Sequence, residues 1–284
     1  MSEKTRQRAS LSAGENLAVG AAGGALETFL QMPLLTFKFC RQEGRALPKD
    51  MRGWYRGVAV QAGTVAPITA IQMMTNGLLG KLVLGGEKRA LTDAESIATA
   101  CGAGVVSALV YSPVDLTTIQ QQKLGMNPLN AVKHIAKTHG VSTLMRGYCS
   151  CAVREGIYTA GYLGLAPVLT ATMVKSSPLF SERPFLASLA GACTAGTIAA
   201  LLTHPVDTAK TCVQADITGK EGWRSAVTAL PRLVREGGVK SLYQGGLART
   251  LRLCGAFFVC MTLREKAIDF KTESVSFDGS QILA

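Results

Sequence analysis

Three prolines constrain this chain more than any other feature. Pro33, Pro113 and Pro205 each lie in a long apolar segment. Each is followed nine positions later by glutamine (Gln42, Gln122, Gln214) and preceded nine positions earlier by glycine (Gly24, Gly104, Gly196). Four residues before each glycine stands another small residue, Gly20, Ala100 and Ala192, the spacing that lets helix backbones approach closely in lipid. One such coincidence is a common product of apolar composition, whereas three in the same phase describe a tandem repeat. The intervening segments repeat too. Each opens on an aromatic or apolar residue, a polar one and a glycine: "YRG" ending at Gly57, "MRG" at Gly147 and "YQG" at Gly245. The chain reads as three units of two helices.

Six segments, about residues 14–40, 58–84, 96–121, 147–173, 185–212 and 246–268, reach the roughly 20 apolar residues that a bilayer crossing needs. At 48% hydrophobic and 17% charged, with a mean hydropathy of +0.22, the chain is more apolar than an ordinary globular domain. The expectation is an all-α membrane protein with six transmembrane helices. Its parts are an N-terminal tail (1–13), three repeats (14–90, 91–180, 181–270) and a polar C-terminal tail (271–284) without helical period, expected to be flexible. The N-terminus has a basic start but no small-residue cleavage site before the apolar region, which argues against a secretory signal.

An even number of spans puts both termini on one side. Loops after the first, third and fifth segments are rich in bases (Lys38, Arg41, Arg45, Lys49, Arg52, Arg56; Lys123, Lys133, Lys137, Arg146; Lys220, Arg224, Arg232, Arg235, Lys240). The opposite loops hold chiefly Lys81, Lys88, Arg89, Lys175 and Arg183. The bias places the termini across the membrane from the rich loops. The net charge of +11 comes without the interleaved aromatics of a nucleic-acid reader, since aromatics are 6%. Lipid head groups, cardiolipin among them, and anionic solutes are the expected partners. The eight cysteines lack zinc-site spacing and read as reduced apolar residues, and His134, His139 and His204 lie apart. No motif indicates an enzyme, a metal or a cofactor.

At this point the sequence resembles the mitochondrial carrier family, whose odd helices end in Pro-x-Asp/Glu-x-x-Lys/Arg. Pro205, Asp207 and Lys210 match fully; Thr118 replaces the base after Pro113 and Asp115; Leu35 replaces the acid between Pro33 and Lys38. The resemblance covers about residues 14–268. It implies a six-helix bundle with threefold pseudo-symmetry and short matrix-side helices, and alternating access to a central site. The implied setting is the mitochondrial inner membrane, with the termini in the intermembrane space and the protein monomeric. The proline bends would bring the helix ends together. The acid of one repeat would pair with the base of the next, giving Asp115 with Lys210 and Asp207 with Lys38, braced by Gln42, Gln122 and Gln214. The third pair, Leu35 with Thr118, has lost both charges together. That loss avoids an unpaired buried charge and predicts an asymmetric, more easily opened gate.

The opposite gate departs from the family pattern, reading Asn76-Gly77, Ala166-Pro167 and Leu263-Arg264 where charged pairs are expected. Repeat 1 is short between Pro33 and Gly57, which predicts a truncated matrix helix. Family contact sites fall two turns after the even-helix glycine, at Thr64, Arg154 and Arg252, with Glu155 beside Arg154. Arginine presents a planar fork suited to carboxylate. An adjacent acid suits an ammonium, or pairs structurally with Arg154; both readings stand. Glu27 is either a cavity residue or a further contact, and Arg249 reads as a gate or structural residue below the site.

The pattern implies antiport of a small carboxylate-bearing metabolite, an amino acid or related zwitterion. Arg154 and Arg252 would hold carboxylate, and Glu155 or Glu27 a positive group or proton. The alternatives are a di- or tricarboxylate or oxodicarboxylate carrier, and a non-transporting membrane interaction protein.

Overall fold

The computed structural model describes residues 13–87, 89–219 and 222–281. Residues 1–12 and 282–284 of the expected tails, and Lys88 and Lys220 of the basic count, lie outside them. Among the described residues eleven α-helices follow one another: α1 (Ala13–Glu43), α2 (Met51–Trp54), α3 (Val58–Leu84), α4 (Asp93–Leu124), α5 (Pro128–His139), α6 (Tyr148–Thr159), α7 (Ala166–Ser176), α8 (Pro178–Glu182), α9 (Pro184–Ala215), α10 (Ala226–Ser241) and α11 (Gly246–Gln281). A π-helical turn, Ala160–Leu165, joins α6 to α7. It ends two residues before Pro167, whose ring cannot donate to the helical ladder.

The six predicted segments correspond to α1, α3, α4, α6–α7, α9 and α11. Pro33, Pro113 and Pro205 sit inside continuous helices. Among the described residues, five helical stretches are long and apolar enough to cross a membrane: Met51–Leu84, Asp93–Leu124, Val141–Ser176, Pro184–Ala215 and Gly246–Lys271. The sixth helix, α1, has the length but is diluted by Glu27, Lys38 and Arg41. Intramembrane charge of that kind persists where it faces partners or water. Each spanning helix packs on its neighbours in chain order, and α11 returns to α1, closing a ring.

The inside-out character of the bundle agrees with a lipid surround. Phe29, Leu30, Met74, Leu82, Leu202 and Leu251 are exposed, while Lys210, His204, Gln214 and Thr118 are among the largest fully buried side chains. Soluble proteins bury lysine almost never. The repeated small residues bring each odd helix against the even helix after it. A Cβ on Gly104 would lie 2.2 Å from the backbone oxygen of Glu155, and one on Gly24 or Gly196 would collide with Val65 or Phe257.

The helices between spans differ among repeats. α5 has 12 residues and α10 has 16, broken by a kink at Gly238 (φ 65°, ψ −173°), but α2 has only 4, as the short spacing in repeat 1 predicted. The C-terminal expectation needs correction. α11 runs on to Gln281, because loss of apolar period does not end a helix whose backbone continues its own hydrogen bonds. Lys271 of this extension pairs with Glu15 of α1 at 2.6 Å.

Candidate functional site: a buried charge cluster

Toward the end of the bundle that carries the basic loops, α1, α4 and α9 converge on two of the expected ion pairs. Lys38 Nζ lies 2.6 Å from Asp207 Oδ2, and Lys210 Nζ contacts Asp115 Oδ2. All four side chains are at most 5% exposed. The even-helix glycines make room for these lysines. Gly245 and Gly147, both at positive φ (77° and 82°), pack against the stems of Lys38 and Lys210, and Gly57 (φ 98°) packs against Thr118 in the same way. A side chain at these glycines would be strained by the backbone and obstructed by Lys38 at Gly245, by Gln214 and Lys210 at Gly147, and by Thr118 at Gly57.

The three glutamines brace the convergence in one rotational sense. Gln42 donates to Asp207 (3.2 Å) and Thr208 (3.1 Å) of α9; Gln122 donates to Thr36 of α1 (3.1 Å); Gln214 donates to the Ser112 carbonyl of α4 (3.3 Å). The uncharged third position is filled rather than vacant. Leu35 packs with Met32, Phe39, Ile119 and Ala215. Thr118 donates to the Val114 carbonyl (2.9 Å) and accepts from Gln61 (3.1 Å). Gln61 also donates to Asp115 (3.3 Å). Sequence reasoning missed Gln61, although it lies four residues after Gly57, where Arg249 stands after Gly245.

The predicted contact residues separate on the structure. Arg154 is at the centre of the cluster: Nη2 is 2.9 Å from Asp115 and 2.6 Å from Glu155, and Nη1 is 3.1 Å from Asp207. The Tyr111 ring lies 5.2 Å from its guanidinium carbon, a cation–π support that the sequence did not suggest. Glu155 is thus engaged by Arg154, as the structural-pair alternative has it. Arg249 donates to Thr203 (2.7 Å) and approaches Asp207 at 3.7 Å, in keeping with its expected place below the site. Arg252 is more exposed, at 24%, and meets Glu27 only at 3.6 Å. Thr64 stays apart: its hydroxyl donates to Val60 and Gln61 carbonyls of its own helix (2.7 and 3.1 Å).

Several polar atoms here are buried without a hydrogen-bond partner among the described residues: Glu27 Oε1, Arg154 Nε and Arg249 Nη1. Such atoms are uncommon in native structures and mark places where a ligand or water completes the site. Five cations (Lys38, Arg154, Lys210, Arg249, Arg252) face four carboxylates (Glu27, Asp115, Glu155, Asp207), an excess of one positive charge. At the opposite end, the positions Asn76-Gly77, Ala166-Pro167 and Leu263-Arg264 form no ion pair among the described residues, and Asn76 Oδ1 is buried without a partner. Gln72, further down the same helix, instead ties α3 to α4 and α6 by donating to Ser107 (3.1 Å) and Thr159 (3.3 Å).

A family model described as mitochondrial carrier protein matches residues 90–177 and 181–274. The chain is 25% identical over 282 residues to the calcium-binding mitochondrial carrier protein of Dictyostelium discoideum, covering 92% of this chain and 36% of that relative. The chain therefore spans only about a third of that protein's length. It is 24% identical to mitochondrial 2-oxodicarboxylate carrier 1 of Saccharomyces cerevisiae, over 95% of this chain and 86% of the relative. Against mitochondrial glutamate carrier 2 of Mus musculus the identity is 27%, over 72% of this chain and 73% of the relative.

Proposed function

From the premise that this chain belongs to the mitochondrial carrier family, we propose that it exchanges a small carboxylate-bearing metabolite across the mitochondrial inner membrane by alternating access. The observation that carries this reading is the buried cluster, with its one positive charge in excess, an Arg154 Nε without a partner, and an Arg249 Nη1 and a Glu27 Oε1 held only by ion contacts of 3.7 and 3.6 Å, without a hydrogen bond. A solute of net charge −1 with two carboxylates and one ammonium balances that excess. Its carboxylates suit the guanidinium forks of Arg154 and Arg252, and its ammonium suits Glu27, whose Oε1 is held only by the long 3.6 Å contact to Arg252. Similarity to glutamate and 2-oxodicarboxylate carriers supports the same solute class.

Burial of the two ion pairs supports a closed gate at the basic end, so the solute enters from the other side in this conformation. We place the basic loops in the matrix and both termini in the intermembrane space, from the charge bias. The gate roles of Lys38, Asp115, Asp207, Lys210, Gln42, Gln122 and Gln214 belong to this reading, as do a monomeric carrier and anionic lipid, such as cardiolipin, around the basic loops.

A second reading, an oxodicarboxylate carrier, is favoured by the relative of that name and requires Glu27 to carry a proton in place of meeting an ammonium. Reconstitution of the full chain in proteoliposomes, loaded in turn with amino acids, oxoacids, tricarboxylates and nucleotides, tests both. Exchange of L-glutamate or a close amino dicarboxylate is expected. Exchange of oxodicarboxylates with no amino acid selects the second reading. Nucleotide exchange overturns the contact assignment, and no exchange of any candidate favours a non-transporting role.

A further inference from the structure

Two ion pairs close the basic end where threefold symmetry has places for three. The third place holds Leu35 and Thr118, neither of which carries charge. The deficit is met from another helix. Arg154, on α6, sends Nη1 to Asp207 on α9 (3.1 Å) and Nη2 to Asp115 on α4 (2.9 Å). Each gate carboxylate thus holds its lysine and the same arginine, and Asp207 meets Arg249 besides, at 3.7 Å. Only a planar fork can span both acids at once; a lysine ammonium is a single point charge. The side chain is 9% exposed and backed by Tyr111, so its position is fixed.

We infer that Arg154 is the latch of the basic-end gate, and that a solute carboxylate opens this gate by taking the Arg154 guanidinium away from Asp115 and Asp207. This rests on the reading of Arg154 as a solute contact given above. The geometry orders the events. Arg252, at 24% exposure and with its acid 3.6 Å away, meets the solute first. Arg154 has both Nη atoms occupied by carboxylates and only Nε unpartnered. A carboxylate therefore docks at the Nε edge and forms its second bond at Nη2, which shares that edge, by displacing Glu155 and Asp115; the guanidinium then turns away from Asp207. Asp115 and Asp207 are each left with their lysine but without the guanidinium that joined the two pairs, and α4 and α9 lose their shared tie.

The protein carries its own reporter. Cys151 is fully buried, with Sγ 3.7 Å from Arg154 Nη2 and 4.0 Å from Lys210 Nζ, so it becomes accessible when the gate parts. The test is the alkylation rate of Cys151 by N-ethylmaleimide in the full-length carrier in proteoliposomes, read by mass spectrometry of its peptide, with exchange measured on the same vesicles. Addition of L-glutamate or 2-oxoglutarate, whichever the wild type exchanges, should speed labelling about fivefold or more. Arg154→Lys keeps the charge but loses the fork, and should label as fast without solute. Adding Leu35→Asp with Thr118→Lys, which supplies the third pair beside Gly57, should return that variant to the slow rate.

Slow labelling of Arg154→Lys without solute overturns the latch, since the two lysines then suffice. Fast labelling that the added pair does not slow also overturns it, because Arg154 is then only a cover over Cys151. If Arg154→Lys does not fold, the wild type decides: solute that slows Cys151 labelling overturns the proposal. A wild type that exchanges neither probe nor any other carboxylate removes the reading underneath, a failure seen in the transport measurement and separate from the labelling outcomes.

Discussion

Asp115 is held from three sides: Lys210 and Arg154 (2.9 Å) share Oδ2, and Gln61 donates to Oδ1 at 3.3 Å. Asp115→Asn keeps the shape and removes the charge, leaving two cations in a place where Lys210 is completely buried. Removing one partner of a buried ion pair costs about 3–5 kcal/mol. At roughly 2 °C or more of unfolding midpoint per kcal/mol for a chain of this size, the expected fall is about 6–10 °C. Adding Lys210→Met removes the orphaned ammonium and should return part of the loss. It cannot return all of it, because Arg154 still lacks an acid. The double-mutant cycle should therefore show a coupling of roughly 1–3 kcal/mol with incomplete recovery. Asp207→Asn should fall further than Asp115→Asn, since Asp207 serves Lys38 (2.6 Å), Arg154 (3.1 Å), Arg249 (3.7 Å) and the Gln42 brace (3.2 Å). The assay is thermal unfolding of the purified carrier in detergent, with exchange alongside. Strictly additive losses for Asp115→Asn and Lys210→Met would refute the pairing. Full recovery in the double variant would refute the share assigned to Arg154.

Gly104→Val should lower the unfolding midpoint, because the new side chain meets the backbone of Glu155, which cannot swing aside; overpacking of this kind costs about 1–3 kcal/mol or more. Gly20→Ala, with nothing within 4 Å, should stay within about 0.5 kcal/mol of wild type in the same measurement. Thr64→Ala should leave the exchange KM unchanged, since its hydroxyl is bonded to its own helix. Arg252→Lys should raise the KM about tenfold by losing the fork while keeping the charge.

The spans, the repeat phase and the two ion pairs were readable in the sequence because each is set by spacing along one helix and copied three times. What was not readable depends on the length and direction of single side chains. Neighbouring positions on a helix diverge by about 100°, so spacing alone left open whether Glu155 pairs with Arg154 or meets an ammonium. The arginine stem bends far enough for one guanidinium to reach Glu155 and both gate acids. The missing charges at Leu35 and Thr118 were readable as an uncharged third position. Its filling by Met32 and Phe39, one turn either side of Leu35, with Ile119 of α4 and Ala215 of α9, depends on how three helices meet.

The same comparison exposes a division of labour among repeats. Four residues after the even-helix glycine stand Gln61, Cys151 and Arg249, and seven after it stand Thr64, Arg154 and Arg252. Repeat 1 is uncharged at both levels and at its gate acid, and contributes charge to the cluster only through Lys38 and Glu27. Its intervening helix is also the shortest, at 4 residues. On the proposed contacts, a solute held by Arg154 and Arg252 would draw on repeats 2 and 3, and α1 would meet it through Glu27. Motion on opening should accordingly be uneven. α4 and α9 are joined by Lys210, Arg154 and Gln214, whereas α1 and α4 meet through the Gln122–Thr36 and Arg45–Gln122 hydrogen bonds. A neutral hydrogen bond and a part-buried arginine–amide contact hold less than a buried ion pair, so the α1–α4 seam is the first to part once Arg154 is drawn away.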